Sequence, residues 1–234
     1  QGPDRTGCIF CGACMTGCRH NAKNTLDKNY LHLAQNFGAE IRAEKEVYNV
    51  VPLQQKDGSA GYQIFLKSST KWFKKRETIQ ADSVIFSGGV LGTVKLLLKL
   101  KEKSLPNISN KLGDDIRTNN ETLISVSSLE KDKNYAKGIA IGSILHADEN
   151  SHLEICRYSE GSNAWKLVHY PHVVGSNVLV RLAKVVVALV KSPLHYVKIY
   201  VQNGWAKSTV VLLFMQTLDS TIKFKRNIFG QLKS

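Results

Sequence analysis

The sequence predicts a mixed architecture, α/β in its first half and α+β with a largely antiparallel sheet in its second. Three observations carry this. Strand-like runs alternate with helical periodicity up to about residue 100. A glycine turn, Ser87-Gly88-Gly89, joins an apolar run to a leucine-rich helix. Beyond residue 120 three strand-like runs follow one another with no helix between them. A change of pattern of this kind marks a domain boundary, so residues 1–120 and 121–234 are expected to form two domains.

In chain order, Leu26, Tyr30, Leu33, Ala34 and Phe37 fall at helical spacing, with Thr25 as the expected cap and Gly38 as the stop. Strands are expected around Ile41 and over Val47 to Val51, then from Tyr62 to Leu66 after the turn signal Lys56-Asp57-Gly58. Two more are expected around Thr78 and Ile79 and over Ser83 to Phe86. The helix after the glycine turn starts near Leu91 and turns Leu96, Leu97 and Leu100 inward. The second half predicts strands at 123–129, 138–145 and 152–158, an amphipathic helix from about Val178 that stops at Pro193, and a final strand in "TVVLLFMQTLD". That helix carries Arg181, Lys184 and Lys191 as a charged stripe and is expected to pack on a sheet.

An apolar share of 43% and a charged share of 22% belong to a chain with a buried core. The formal charge of +13 is spread along the chain. Its densest group, Lys67 to Arg76 with Trp72 and Phe73 interleaved, reads as an exposed hairpin tip, and nucleic acid is not the favoured partner. No stretch reaches the 18 or so apolar residues that a membrane crossing needs, although peripheral contact with a membrane surface stays open. The opening "QGPDRTGC" lacks an apolar signal region, so the cytoplasm is the expected compartment. It also enters directly into a motif, as the interior of a longer protein would.

That motif places Cys8, Cys11, Cys14 and Cys18 in a C-x2-C-x2-C-x3-C run, with Cys156 the one other cysteine. The spacing equals the bacterial ferredoxin run, with Arg19 in place of the usual proline. An iron–sulfur cluster of the [4Fe-4S] type, reduced structural thiols, zinc and a disulfide are the open readings. A cluster would take its fourth ligand from Cys18, Cys156 or elsewhere. The glycine turn lets a backbone approach a phosphate or ribose at a helix N-terminus, a feature shared with many α/β proteins that bind nothing there.

"CGACMTGC" leading into "NAKNTLDKNYL", then "VIFSGGVLGTVKLLL" and "LPNISNKLG" resemble the glucose–methanol–choline family of flavin oxidoreductases, and within it the sterol oxidase branch. The likeness is strong over residues 5–125 and looser beyond. It implies a partial Rossmann-like FAD-binding domain followed by part of an antiparallel-sheet substrate domain. It places Val47 beside the adenine, makes Ser87, Gly88 and Gly89 a glycine turn near the adenosine and pyrophosphate, and sets Asn119 near the flavin. "SHLEICRYSEGSNA" is similar to the segment whose carboxylate moves a proton in steroid isomerisation, which gives that role to Glu154. Such a step needs a base that takes a proton from one carbon and returns it to another, and an apolar pocket raises a carboxylate's pKa toward that task.

The family's N-terminal G-x-G-x-x-G turn and its C-terminal active-site segment lie outside these residues. The fragment alone is therefore expected to be inactive. His146, His152, His169, His172 and His195 stand in no matching context. The implied activity is FAD-dependent oxidation of an apolar secondary alcohol such as a 3-hydroxysteroid, with enone isomerisation as a second step. An iron–sulfur electron-transfer module and a basic nucleic-acid or anionic-lipid binding protein are the alternatives.

Overall fold

The structure is a computed structural model that describes residues 2–130 and 132–234. Its helices are α1 (Tyr30–Asn36), α2 (Val90–Lys101), α3 (Val178–Lys191), α4 (Pro193–Val201) and α5 (Trp205–Ser208). Its strands are β1 (Lys45–Pro52), β2 (Tyr62–Ser68), β3 (Arg76–Ala81), β4 (Ile116–Arg117), β5 (Thr122–Ser127), β6 (Ile141–Asp148), β7 (Ser151–Cys156), β8 (Thr209–Gln216), β9 (Thr221–Ile222), β10 (Lys225–Arg226) and β11 (Leu232–Lys233). Every sheet is antiparallel. The chain divides into two compact units. One combines Gln1–Phe37 with Asn119–Leu218, the other Gly38–Thr118 with Asp219–Ser234.

In the second of these units β1, β2 and β3 form a meander in that order. Period-two alternation turns Ile64, Leu66 and Ser68 of β2 inward. Val50 of β1 and Leu100 of α2 are fully buried in the same cluster, each contributing roughly 1.5–3 kcal/mol. Leu96 and Leu97 join Leu100 on the inward face of α2, as the leucine spacing predicts. Residues 69–75 link β2 to β3, with Trp72 93% and Phe73 86% exposed, so this basic stretch is a hairpin tip.

Ser83–Phe86 does not form the expected strand. Val84 and Phe86 pack on the meander, Ile85 is 88% exposed, and the segment has no ladder partner among the described residues. A strand needs a neighbour's hydrogen bonds, and apolar content alone does not supply them. Ile41 also lies outside β1. The C-terminal return is fixed by the β4–β9 pair, by the Arg117–Asp219 ion pair at 2.8 Å and by Lys223 on Asp114 at 2.5 Å.

In the other unit the sheet order is β5-β8-β7-β6. Central β8 alternates, burying Thr209, Val211 and Leu213 against Ala136, Cys156, Trp205 and Ala206. The expected helix over 26–37 starts later, because Leu26–Lys28 forms a 3-10 turn and the Asn29 side chain, not Thr25, accepts from the Tyr30 N–H. Pro193 ends α3 and opens α4. Helix α3 was expected to pack on a sheet. Its main neighbour is instead α4, and Leu179, Leu182, Val186 and Val190 remain exposed. Among the described residues no helix is long and apolar enough to cross a membrane.

Candidate functional site

A cleft of about 790 Å³ opens on the Gly38–Thr118 and Asp219–Ser234 unit. Val47 and Tyr48 supply one wall from β1, and Ser87 and Gly88 reach it from the turn before α2. Gly89 is the residue at the N-terminal end of α2, with φ +85° and no side-chain cap on the helix. The first amides of α2 therefore meet the cleft with the positive end of the helix and no Cβ in the way. Lys45, Lys67, Lys95, Lys99 and Arg226 line the same space against one acid, Glu46. Lys67 pairs with Glu46 at 3.0 Å, and Lys45 and Arg226 pair with Glu77 and Glu102.

Burial, followed by the positive charges of Lys103, Arg226 and Lys67, pushes the Lys99 ammonium below the ordinary lysine range. Surplus positive charge at a helix N-terminus suits a phosphate-bearing ligand. The donor set thus fits the pyrophosphate and adenosine half of a dinucleotide. Val47, Ser87 and Gly88, singled out in the sequence, line this cleft, as do the lysines and Arg226, which no motif marks and which the fold gathers from separate elements.

Asn119 and Glu154 lie in the other unit. The Asn119 side-chain Nδ2 donates to Glu121 Oε2 at 2.8 Å and to Met215 Sδ at 3.4 Å, while the Asn119 backbone carbonyl accepts from the Gln216 N–H. Glu154 sits in the middle of β7, between Leu213 of β8 and Ile144 of β6 in register, and its carboxylate is largely covered. His152 Nε2 lies 3.9 Å from Glu154 Oε1, and the His152 ring tilts against His146 with centroids 5.8 Å apart. The carboxylate therefore stands on a mostly apolar sheet face with a histidine pair along one side. The strand period places His152 beside Glu154, and the β6–β7 register adds His146.

His169, His172 and His195, far apart in sequence, line one cavity of about 310 Å³. The Trp205 indole N–H, a donor only, reaches His169 Nδ1 at 3.2 Å. The neutral ring thus carries its proton on Nε2 and donates to Ser125 Oγ at 2.9 Å. In that tautomer His169 is no base toward Ser125.

Cys8, Cys11, Cys14 and Cys18 line a separate cavity of about 240 Å³. All are free thiols. Among the described residues no three His, Cys, Asp or Glu side chains are arranged to hold a metal ion, so the [4Fe-4S] expectation finds no support.

One unit thus carries a cationic cleft at a glycine turn and the other a carboxylate on a largely apolar sheet, two arrangements suited to holding a ligand. Residues 3–114 match the family model of GMC oxidoreductase, and the chain belongs to that family. It is similar to a cholesterol oxidase of Acinetobacter baumannii, 43% identical over 98% of this chain and 42% of the relative. It is also similar to a cholesterol oxidase of Mycobacterium tuberculosis, 34% identical over 94% of this chain and 39% of the relative. The chain thus spans about two-fifths of these relatives' length. No solved structure matches it.

Proposed function

We propose that the chain serves FAD-dependent oxidation of the CH–OH group of an apolar secondary alcohol, a 3-hydroxysteroid such as cholesterol. The cationic cleft at the glycine turn carries this reading, and the relatives' name supports its substrate class. Val47, Ser87, Gly88 and Gly89 hold the adenosine half of FAD, within a domain of Rossmann-like type. Lys95 and Lys99 offset its phosphate charge. Bound FAD supplies the hydride acceptor. Asn119 belongs to the flavin side of the site.

Glu154 moves a proton in the second step. Its carboxylate takes a proton from the carbon between the new ketone and the double bond, then returns it at the far end of that double bond. The carboxylate is thereby regenerated. Leu213 and Ile144 beside it suit an apolar steroid.

Contact with an anionic membrane surface is part of the same proposal, since a sterol reaches its enzyme from lipid. The exposed apolar arc of α3 supports it, as do six Lys or Arg and no Asp or Glu between Glu160 and Asp219.

A titration of the purified protein with FAD, followed by flavin fluorescence, tests the cleft. Saturable quenching that ADP reverses is expected. Gly88→Val should raise the dissociation constant about tenfold or more, a cost of about 1.4 kcal/mol. Quenching indifferent to both ADP and Gly88→Val would sink the assignment.

A further inference from the structure

The cavity that gathers His169, His172 and His195 contains a chain of hydrogen bonds whose direction is fixed. Trp205, 2% exposed, anchors it. Its backbone N–H donates to Asn163 Oδ1 at 2.8 Å, and its indole N–H donates to His169 Nδ1 at 3.2 Å. The Trp205 and His169 rings lie 5.0 Å apart between centroids, and the Tyr200 hydroxyl donates to the His169 backbone carbonyl. An indole only donates, so His169 Nδ1 must accept and Nε2 must carry the ring's proton. Burial, which holds His169 below the ordinary histidine range, favours the same neutral ring.

Ser125 Oγ, 2.9 Å from Nε2, is therefore the acceptor of that proton. A hydroxyl that accepts still has its own proton to give. The Ser125 hydroxyl has no other side-chain partner among the described residues and lines the cavity, so its proton is free for a ligand there. Lys166 lines the same space from the 3-10 turn Asn163–Val168. It is half-buried and has no carboxylate partner among the described residues. An ammonium drawn from water without a counter-charge is a cost that a bound anion would offset. His172 and His195 are exposed, their rings without a hydrogen bond among the described residues, and His195 stands edge-on to Tyr196 at 5.4 Å. No Asp or Glu lines the cavity, and none occurs in the sequence between Glu160 and Asp219.

We infer that this cavity binds a small carboxylate carried on a ring, a site that the oxidation of alcohols leaves unassigned. Its lining shares no residue with the glycine-turn cleft and does not include Glu154. The carboxylate accepts from the Ser125 hydroxyl and from the Lys166 ammonium. The ring lies against Tyr196 and Tyr200 of α4, with Ile199 between them in sequence. By donating to Ser125 Oγ, His169 directs the hydroxyl proton toward the ligand.

Size and wall chemistry both favour a ring-bearing acid. At about 310 Å³ the space lies at the small end of ligand cavities, which pair aromatic and apolar walls with a few placed polar groups. A bare inorganic anion would leave the tyrosine walls uncovered. A neutral ring would leave the Lys166 ammonium without a counter-charge.

The test is isothermal titration calorimetry on the full-length enzyme that carries these residues, with 2-naphthoate, its neutral amide 2-naphthamide and inorganic phosphate as probes. The naphthoate should saturate one site and bind about tenfold or more tighter than the amide, the scale of charge-assisted hydrogen bonds. Lys166→Met should erase most of that preference, and Ser125→Ala should weaken the naphthoate severalfold. Equal affinity for naphthoate and naphthamide overturns the proposal, as does native naphthoate affinity in Lys166→Met. Phosphate that displaces naphthoate at equal concentration overturns the requirement for a ring. Displacement by a neutral 3-hydroxysteroid would give the cavity to the alcohol and overturn the separate site. Neither the probes nor the readout involves FAD or turnover, so the outcome is independent of the proposed oxidation. The native protein's ratio of naphthoate to naphthamide affinity decides the matter even where a variant fails to fold.

Discussion

Lys99 donates its ammonium N–H to the backbone carbonyl of Tyr48 at 2.9 Å, and the same nitrogen lies 5.9 Å from the Tyr48 ring centroid. Lys67 and Arg76 approach that ring at 5.9 and 5.8 Å, so one aromatic side chain gathers three cations beside the cleft. Lys99 is thereby aimed from α2 across to β1, and it lines the same cleft as Ser87 and Gly88. Lys99→Met should weaken FAD and ADP binding by about tenfold, the scale of one charge-assisted hydrogen bond, while Lys99→Arg should retain most of it. Equal affinity for ADP in the native protein and Lys99→Met would remove Lys99 from the site.

The Gly38–Thr118 segment depends on a return of the chain after residue 218. Gly113 has φ +89°, its carbonyl accepts from the Phe224 N–H at 2.7 Å, and an added Cβ would meet the Phe224 oxygen at 2.3 Å. Gly113→Ala therefore forces both a strained backbone and a clash with another backbone, neither of which a rotamer change relieves. A loss of about 3 kcal/mol is expected in urea unfolding. Gly161→Ala, at φ +88° but with open space around it, should cost only about 1 kcal/mol. Equal losses in the two variants would show that the Phe224 contact plays no part.

His169 gives the Asn119–Leu218 segment a pH dependence. Burial holds its pKa below the ordinary histidine value of 6.5. Above that value the ring is neutral folded or unfolded, and its contribution to stability is complete. As the pH falls below it, the unfolded chain takes up a proton that the folded ring resists, and stability declines until the folded pKa is passed. Protonation would also cost the bond from Trp205 to Nδ1. The unfolding midpoint read by tryptophan fluorescence should drop on acidification, and His169→Phe should show a shallower drop. Parallel curves for the two proteins would exclude His169 as the source.

Much of this molecule was legible in the sequence where the signal is local. Leucine spacing placed α2, strand-like apolar runs placed β2 and β8, and Gly88 and Gly89 marked the turn beside the cleft. What failed depended on partners distant in sequence. The apolar run at Val84 to Phe86 reads as a strand, yet strand formation needs a ladder that its composition does not encode. The ferredoxin-like spacing marked four cysteines that do line one cavity, but it does not encode whether they can hold a metal, and among the described residues no such group forms. Lys99 and Arg226 carry no motif, and only the packing of α2 and of the C-terminal return brings them to one cleft.

Glu154 offers the sharpest separation of the two proposed chemical steps. Its carboxylate stands between Leu213 and Ile144 in register on the sheet, with His152 Nε2 3.9 Å from Oε1. Gln keeps the size and the hydrogen-bonding reach of this side chain but cannot carry a proton between two carbons. In Glu154→Gln, made in the full-length enzyme that carries these residues, conversion of a β,γ-unsaturated 3-ketosteroid to its conjugated enone, followed by ultraviolet absorbance, should fall roughly 10²–10⁴-fold. Oxidation of a saturated 3-hydroxysteroid, which has no double bond to move, should change little. His152→Gln should leave the enone conversion far closer to the native rate, because histidine only borders the carboxylate. A Glu154→Gln protein that isomerises at the native rate would take proton transfer away from this residue, and equal loss of both reactions would mark it as structural.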